Sequence, residues 1–467
     1  MRGQGGFWQA IDKFARHRGG NFAVVFGITA SALVLGVGFA VDTVQLMNAK
    51  SALRAAVDAA VTSTARSITI GDITEEDAPD TVRAFLSANS TGGLLAHDEI
   101  VLDRLTIDDT AKTVEAEAHV DVSLYFPLFG MPNTRRVSNI GAAIYSDRHI
   151  EVAMMLDVTG SMGGQKIKDL KKAAQSAVEA LLAGNKNPNT PRVRVAIVPY
   201  AEAVNTGKLA DTVFVEQKNG PDLPPSIATP VSATTHPDNC ATERKMQDGS
   251  ADFSDDAPDT IRSVRRNNKY EQYYAKVNRD DRVGTCPQAG LVPLTADKDA
   301  LLAAIEGFSA NGVTAGGIAA QWGYYMLSPK WRSAISSAGA GDGPADINPK
   351  KVGKVAILMT DGAFNTAFAG VPVSKDKNNQ PQNDQGQKSR SYAESICGNM
   401  KRDGIVVFTI GFALPNSESS QARSVLRNCA SNDTSSMKHF YDVSTGPELD
   451  AAFKDIVANT EQLALTK

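Results

Sequence analysis

This chain is poor in the side chains that carry most enzymatic chemistry. Of its 467 residues six are histidine, and none stands beside the segments that hold the candidate site below. A serine or cysteine nucleophile without a base partner is weak, so the usual hydrolytic constellations have nothing to start from. Cysteine is as scarce: Cys240, Cys286, Cys397 and Cys429, none before residue 240 and none in a C-x-x-C pair. That weakens the zinc and thioredoxin-like readings. Charge imbalance is missing too, with 48 basic against 52 acidic residues and a net charge of −4, which speaks against nucleic acid as the main partner. A mean hydropathy of −0.21 excludes a polytopic membrane protein while leaving room for one anchor. The 42% hydrophobic content is that of a globular protein, and the length suffices for two or three domains with their own cores.

The one long apolar run is Phe22 to Val41, twenty residues without a charge. As a helix it matches a bilayer core of ~30 Å. Arg2, Lys13, Arg16 and Arg18 precede it and Asp42 follows. The basic flank, residues 1–21, therefore belongs in the cytoplasm and the bulk of the chain beyond the membrane. A cleavable signal peptide is the competing reading, since Gly38-Phe39-Ala40 weakly imitates a cleavage site. The run is longer than a signal core of ~7–15 residues, so a retained anchor is expected. An even number of cysteines in an exported domain suggests two disulfides. Of three connectivities, Cys240–Cys286 and Cys397–Cys429 are preferred, with free buried thiols as the alternative.

Thr43 to Ile68 continues as a helix, Ala-rich and free of Gly and Pro, with Leu46, Ala49, Leu53, Ala56 and Ala60 on one stripe. Residues 99–146 read as β-rich, and Val114, Ala116, Ala118, Val120, Val122 and Leu124 alternate on one face. Residues 42–147 thus form a helix plus a small sheet. From 148 to 467 the order is α/β: strand Ile150–Leu156, helix Gln165–Leu182, strand Val193–Pro199, helices over 297–309 and 315–328, strand Val355–Thr360, helix 389–402, strand Ile405–Ile410, helix 417–428, strand His439–Val443 and helix 447–463. An insertion from about 205 to 291 interrupts it. There Tyr270, Tyr273 and Tyr274 lie among Arg262, Arg265, Arg266, Lys269, Lys276 and Arg279, a mix that binds anions or proteins or simply forms a solvated face.

Three segments carry the chemistry. Asp157-Val158-Thr159-Gly160-Ser161 follows the first buried strand and puts a carboxylate and two hydroxyls on one turn. Thr360-Asp361-Gly362 ends a hydrophobic run with a second carboxylate, and Asn311 to Gly317 is a glycine-rich turn containing Thr314. In a parallel sheet, strand C-termini gather on one edge, and oxygen ligands in this combination suit a hard divalent cation. A lone D-x-T-x-S is commonly just a turn or a helix cap. Neither D-x-D nor a phosphate-binding G-x-x-x-x-G-K-[ST] fits here.

The set Asp157, Thr159, Ser161, Thr314 and Asp361 resembles the metal-ion-dependent adhesion site of von Willebrand factor type A (VWA) domains, with Thr159 where the family usually has serine. The resemblance implies a Rossmann-like, doubly wound, mostly parallel sheet flanked by helices. It also implies Mg²⁺ as ligand, with Mn²⁺ or Ca²⁺ possible, and a partner protein whose Asp or Glu carboxylate completes the metal's shell. A further likeness lies in Arg18-Gly19-Gly20-Asn21-Phe22, Val41-Asp42, Leu53-x-x-Ala56-x-Asp58-Ala59-Ala60, Leu128-Phe129-Gly130, Trp322-Gly323 and Met326-Leu327-Ser328-Pro329. These resemble TadG-like proteins of the Flp/Tad pilus-assembly system, and the long helix leading into a small sheet over residues 42–147 is pilin-like in outline. A Tad-type prepilin carries Glu five residues after its processing glycine; here Val25 stands five after Gly20, so prepilin cleavage is not expected. The implied function is an inner-membrane, single-pass binding module, not an enzyme, that reaches into the periplasm and acts in pilus or envelope assembly. A structural minor pilus component and a metal-dependent envelope hydrolase are the alternatives.

Overall fold

The computed structural model describes residues 21–70, 72–90, 100–127, 132–146, 148–185, 191–213, 239–246, 248–266, 268–274, 277, 282–349, 351–371, 382–414 and 419–465. The chain divides into two compact units, one of Met1–Ile68 and Ile73–Ser146, the other of Thr69–Asp72 and Asp147–Lys467.

In the first unit helix α1 runs unbroken over Asn21–Ile70, because neither Gly nor Pro interrupts it beyond Gly38. Exposure differs along its length. Val24, Phe26, Leu33, Val34, Leu35 and Phe39 are all exposed, and the helix is long and apolar enough to cross a membrane, with a mean hydropathy of 2.3 over its most apolar stretch. The hydroxyls of Thr29 and Thr43 donate to Val25 O and Phe39 O, so these polar groups in or beside the run are satisfied within the helix. From Ala49 onward, Leu53, Ala56, Val57, Ala60, Val61 and Ala65 are buried, and this stripe packs on a three-stranded antiparallel sheet. Helix α2 (Ala78–Ser90), which the sequence reading left unassigned, adds Val82 and Leu86 to that core. Strands β1 (Val101–Asp108), β2 (Thr113–Ser123) and β3 (Thr134–Ile144) pair in that order. The predicted face of β2 is the buried one: Val114, Ala116, Ala118, Val120 and Val122 are each at most 1% exposed. Leu124 falls past the end of the strand and is half-buried. The alanines on α1 and Gly141 on β3 bring helix and sheet close; a Cβ at Gly141 would lie 2.8 Å from Val57.

The second unit is a mixed α/β domain. Apart from two short helices, Ala210–Val213 and Arg332–Ser337, its described strands and helices are, in order, β4 (His149–Asp157), α3 (Gln165–Leu182), β5 (Val193–Tyr200), β6 (Val204–Asn205), β7 (Cys240–Ala241), the hairpin β8 (Ile261–Arg266) and β9 (Lys269–Tyr274), β10 (Val292–Thr295), α4 (Lys298–Glu306), α5 (Gly316–Tyr325), β11 (Val352–Thr360), α6 (Gln382–Arg402), β12 (Val406–Phe412), α7 (Ser419–Cys429), β13 (Phe440–Val443) and α8 (Gly446–Leu465). The main sheet has the order β13-β12-β11-β4-β5-β6-β7, and β10 also pairs with β5. From β13 to β5 every pairing is parallel; β6, β7 and β10 join antiparallel. The central strands are buried on both faces, as continuous runs of Val, Ile, Leu, Met and Ala require. Ile150, Val152, Met154 and Leu156 of β4 face α3, α4 and α8 in one core, while Ala153 and Met155 face α5, α6 and α7 in the other. The predicted inner face of α3, Leu170, Ala173, Ala174, Ala177, Val178 and Leu181, is the face that packs.

The insertion is more than a solvated face. Cys240, Ala241, Val277 and Val283 are buried in the main core, and β6 and β7 extend the sheet edge. The Cys240–Cys286 disulfide ties the excursion back to this core, and Cys397–Cys429 joins α6 to α7, with Cα separations of 5.9 and 5.0 Å. These are the two pairs preferred in the sequence; loops of 46 and 32 residues correspond to a chain-entropy stabilisation of about 4 kcal/mol each. Arg262 is no free cation: it bonds Asp252 at 2.8 Å and Asp256 at 2.6 Å. Tyr270 is exposed. Lys276 and Arg279, and the Leu128-Phe129-Gly130 likeness, lie outside the described residues.

Candidate functional site

Two adjacent parallel strands create the site. Met359 on β11 is in register with Leu156 on β4, so both strands end at the same level, and the residues that follow project from one sheet edge. Asp157 and Asp361 are fully buried there. Thr159 N–H donates to Asp157 Oδ1 at 2.9 Å, closing the turn on its own carboxylate. The Thr159 and Ser161 hydroxyls are 2.9 Å apart, and Ser161 Oγ donates to Asp361 Oδ1 at 2.6 Å. Four of the five predicted ligands, Asp157, Thr159, Ser161 and Asp361, therefore form one connected oxygen cluster.

Thr314 is brought to the same edge by backbone contacts. Gly312 takes φ +82°, a conformation favouring glycine, and its carbonyl accepts from Gly160 N–H at 2.9 Å, while Asn311 N–H donates to Val158 O. Thr314 N–H donates to Asn365 Oδ1, and Thr314 O accepts from the N–H groups of Asn365 and Thr366. The loop thus touches both Asp-bearing turns. Among the described residues no hydrogen bond joins the Thr314 hydroxyl to the other four oxygens. Gly316 and Gly317 belong to the helix expected over 315–328 and not to the preceding glycine-rich turn. They open α5 and let it pack tightly: a Cβ on Gly316 would lie 2.3 Å from the Phe364 ring, and one on Gly317 would lie 3.0 Å from Ser389 O.

Three residues of the site escaped the sequence reading. Thr360 Oγ1 donates to Asp157 Oδ2 at 2.7 Å, which the strand register brings about. Tyr200, at the end of β5, donates to Met359 O at 2.9 Å and sits 3.4 Å from Asp157 Oδ2; burial and the Asp157 charge hold its phenol far above the ordinary range. Lys166 Nζ lies 2.8 Å from Asp361 Oδ2, its side chain 31% exposed against 0% for the aspartate. A signal for Lys166 did exist. It stands in the first turn of α3, where the helix dipole disfavours a cation, so a compensating carboxylate was to be sought.

The electrostatics favour a cation at this edge. Burial, and then the neighbouring Asp361 charge, push the Asp157 carboxyl up to about 6. Two buried carboxylates side by side need positive charge. Lys166 supplies one unit of it through its contact with Asp361. Among the described residues no group of three or more His, Cys, Asp or Glu is placed to hold a metal ion; at this edge the donors beyond the two carboxylates are hydroxyls. An all-oxygen set of two carboxylates and hydroxyls is the chemistry that Mg²⁺, Mn²⁺ or Ca²⁺ prefers over softer metals, so the residues present fit such an ion.

No protein-family model matches the sequence, and no curated protein does. Among solved structures the chain is similar to the vWF domain of the type V pili tip protein Mfa5 from Porphyromonas gingivalis, at 13% identity and a TM-score of 0.35 over 68% of this chain and 97% of that one. It is also similar to the pilus adhesin SpaC from Lactobacillus rhamnosus GG, at 10% identity and a TM-score of 0.37 over 78% of this chain and 34% of that one. The pilus adhesin RrgA from Streptococcus pneumoniae gives 12% identity and a TM-score of 0.34 over 78% and 49%.

Proposed function

We propose that this chain is a membrane-anchored binding protein whose α/β domain is of VWA type. In this reading the domain holds a divalent cation, Mg²⁺ first and Mn²⁺ or Ca²⁺ next, through Asp157, Thr159, Ser161, Thr314 and Asp361. A partner protein's Asp or Glu carboxylate then fills the cation's open position. The single observation that carries the reading is the connected cluster Asp157–Thr159–Ser161–Asp361 at the C-terminal edge of parallel strands, with two buried carboxylates next to the exposed Ser161. Binding, not turnover, suits a site with no imidazole among its contacts. Helix α1 anchors the chain in the bacterial inner membrane by the charge pattern of its flanks, with the α/β unit in the periplasm where disulfides persist. The TadG-like sequence features extend the reading to assembly of Flp/Tad-type pili.

The test is calorimetric titration of Mg²⁺ and Mn²⁺ into the full-length protein in detergent, beside Asp157→Ala. Saturable one-site binding, lost in a variant that keeps the native near-UV spectrum, is the expected outcome. One observation favours a second reading, a scaffold without metal: Lys166 already satisfies Asp361. Absence of binding in the wild type, with or without an acidic peptide, selects that alternative.

A further inference from the structure

The loop that leaves β2 is tied to the apolar helix in a way that packing of the small sheet does not require. Asp42, the residue that follows the uncharged run, is only 6% exposed. Its carboxylate accepts from Tyr125 N–H at 2.9 Å and from Phe126 N–H at 3.1 Å. Gln45 Nε2 adds a bond to Ser123 O at 3.0 Å. One helical turn toward the N-terminus, on the same face as Asp42, stands Gly38. A Cβ at Gly38 would lie 2.8 Å from both Cβ and Cγ of Phe126, so the missing side chain is what lets this ring lie against the helix. Both aromatic side chains nonetheless remain open, Tyr125 at 72% and Phe126 at 50% exposed.

The uncharged run Phe22–Val41 sets the depth scale. At ~1.5 Å per residue it fills the hydrocarbon core and ends at Asp42. Gly38 then lies ~6 Å inside that boundary, and Phe126 beside it, while Tyr125 sits at the level of the headgroups. Tyr, with an apolar ring and a polar tip, suits that level, and a Phe one turn deeper meets acyl chain. A free carboxylate at this border is costly; two charge-assisted N–H bonds offset the cost and at the same time satisfy loop amides that would otherwise face lipid.

We infer that Asp42 and Gly38 clamp Tyr125 and Phe126 onto the anchor helix so that both rings insert into the membrane surface that this helix spans, and the lipid interface is the partner of this aromatic pair. The inference rests on the anchor reading of α1. It gives the first unit a second point of attachment, so the small sheet is held at the membrane instead of pivoting on one helix.

The full chain has no unpaired cysteine, so a single introduced thiol takes a nitroxide label cleanly. Phe126→Cys and, as a second position, Tyr125→Cys are labelled in vesicles of phosphatidylethanolamine and phosphatidylglycerol, with Val34→Cys as the marker of the span. Relaxation by oxygen against a water-soluble nickel complex reads depth. Expected is a deep label at 34, a shallow but lipid-exposed label at 126, and a label at 125 nearer the water. Adding Asp42→Ala should move the 126 label into water, while Asp42→Asn, which keeps an acceptor, should move it less. A deep label at 34 with 125 and 126 both in water, or a 126 label unmoved by Asp42→Ala, overturns the clamp and leaves the anchor standing. A water-exposed label at 34 overturns the anchor reading and the clamp with it.

Discussion

Replacing Lys166 by Met should make the protein bind divalent cations more tightly, even though it deletes a residue that touches the site. In the metal-free protein the Lys166 ammonium sits 2.8 Å from Asp361 Oδ2. A divalent ion on the other oxygens of the cluster would lie a few ångströms from that ammonium, a repulsion of several kcal/mol at an effective dielectric of ~20. Lys166 must therefore swing to solvent when the ion enters, and its 31% exposure gives it a path. The cost of entry is the ion pair given up. Breaking a fully buried pair costs ~3–5 kcal/mol and an exposed one ~0–1; with one partner buried and the other a third exposed, about 2 kcal/mol is the working figure. In Lys166→Met that pair is absent before the ion arrives, so the same free energy reappears as affinity, roughly 30-fold for Mg²⁺. Lys166→Arg keeps the charge and should stay near the wild type. Calorimetric titration of the three proteins decides the matter. Equal or weaker Mg²⁺ binding by a natively folded Lys166→Met protein would refute the competition argument.

Two further outcomes follow from the same geometry. Burial and Asp361 raise the Asp157 carboxyl to about 6, above its unfolded value of ~3.9, so between these pH values the folded state binds more protons than the unfolded one. The metal-free protein should accordingly lose stability as pH rises from 4 through 6, and denaturant titrations across that range should show this component shrink in Asp157→Asn. Gly316→Ala gains helix propensity but drives a Cβ into the buried Phe364 ring at 2.3 Å; a net loss of about 1–3 kcal/mol is expected, with weaker metal binding because Phe364 lies in the loop that follows Asp361. A neutral or stabilising effect on the thermal midpoint would show that the loop gives way freely.

Much of the molecule could be read from sequence because its signals are local. The apolar alternation of β2, the stripe on α1 and the inner face of α3 are periodicities, and periodicity reports which face is buried irrespective of what it is buried against. The span of α3 was read without error at both ends, where Gly163-Gly164 opens it and the apolar stripe ends at Leu182. Asp157, Thr159 and Ser161 share one turn, so their proximity is a matter of chain connectivity. The insertion was harder. Its interleaved Tyr, Arg and Lys allow a solvated face, but Cys240, Ala241, Val277 and Val283 are few, scattered and without period, and their burial depends on the sheet edge that receives them.

Sequence by itself determined the parallel strands and the helices between them, the apolar helix with its flanking charges, and the residue types at each turn, because each of these is set by neighbours within a few residues; α2 and the short strands β6, β7 and β10 have no such local signal. Tertiary structure alone decided the partners across distance. The register of β11 on β4 puts Thr360 on Asp157, an approach between residues 203 apart. The direction of α3 aims Lys166 at Asp361, 195 residues away, and the close fit at Gly38 seats Phe126. Such contacts follow from how rigid elements pack, and packing complementarity has no period along the chain from which to read it.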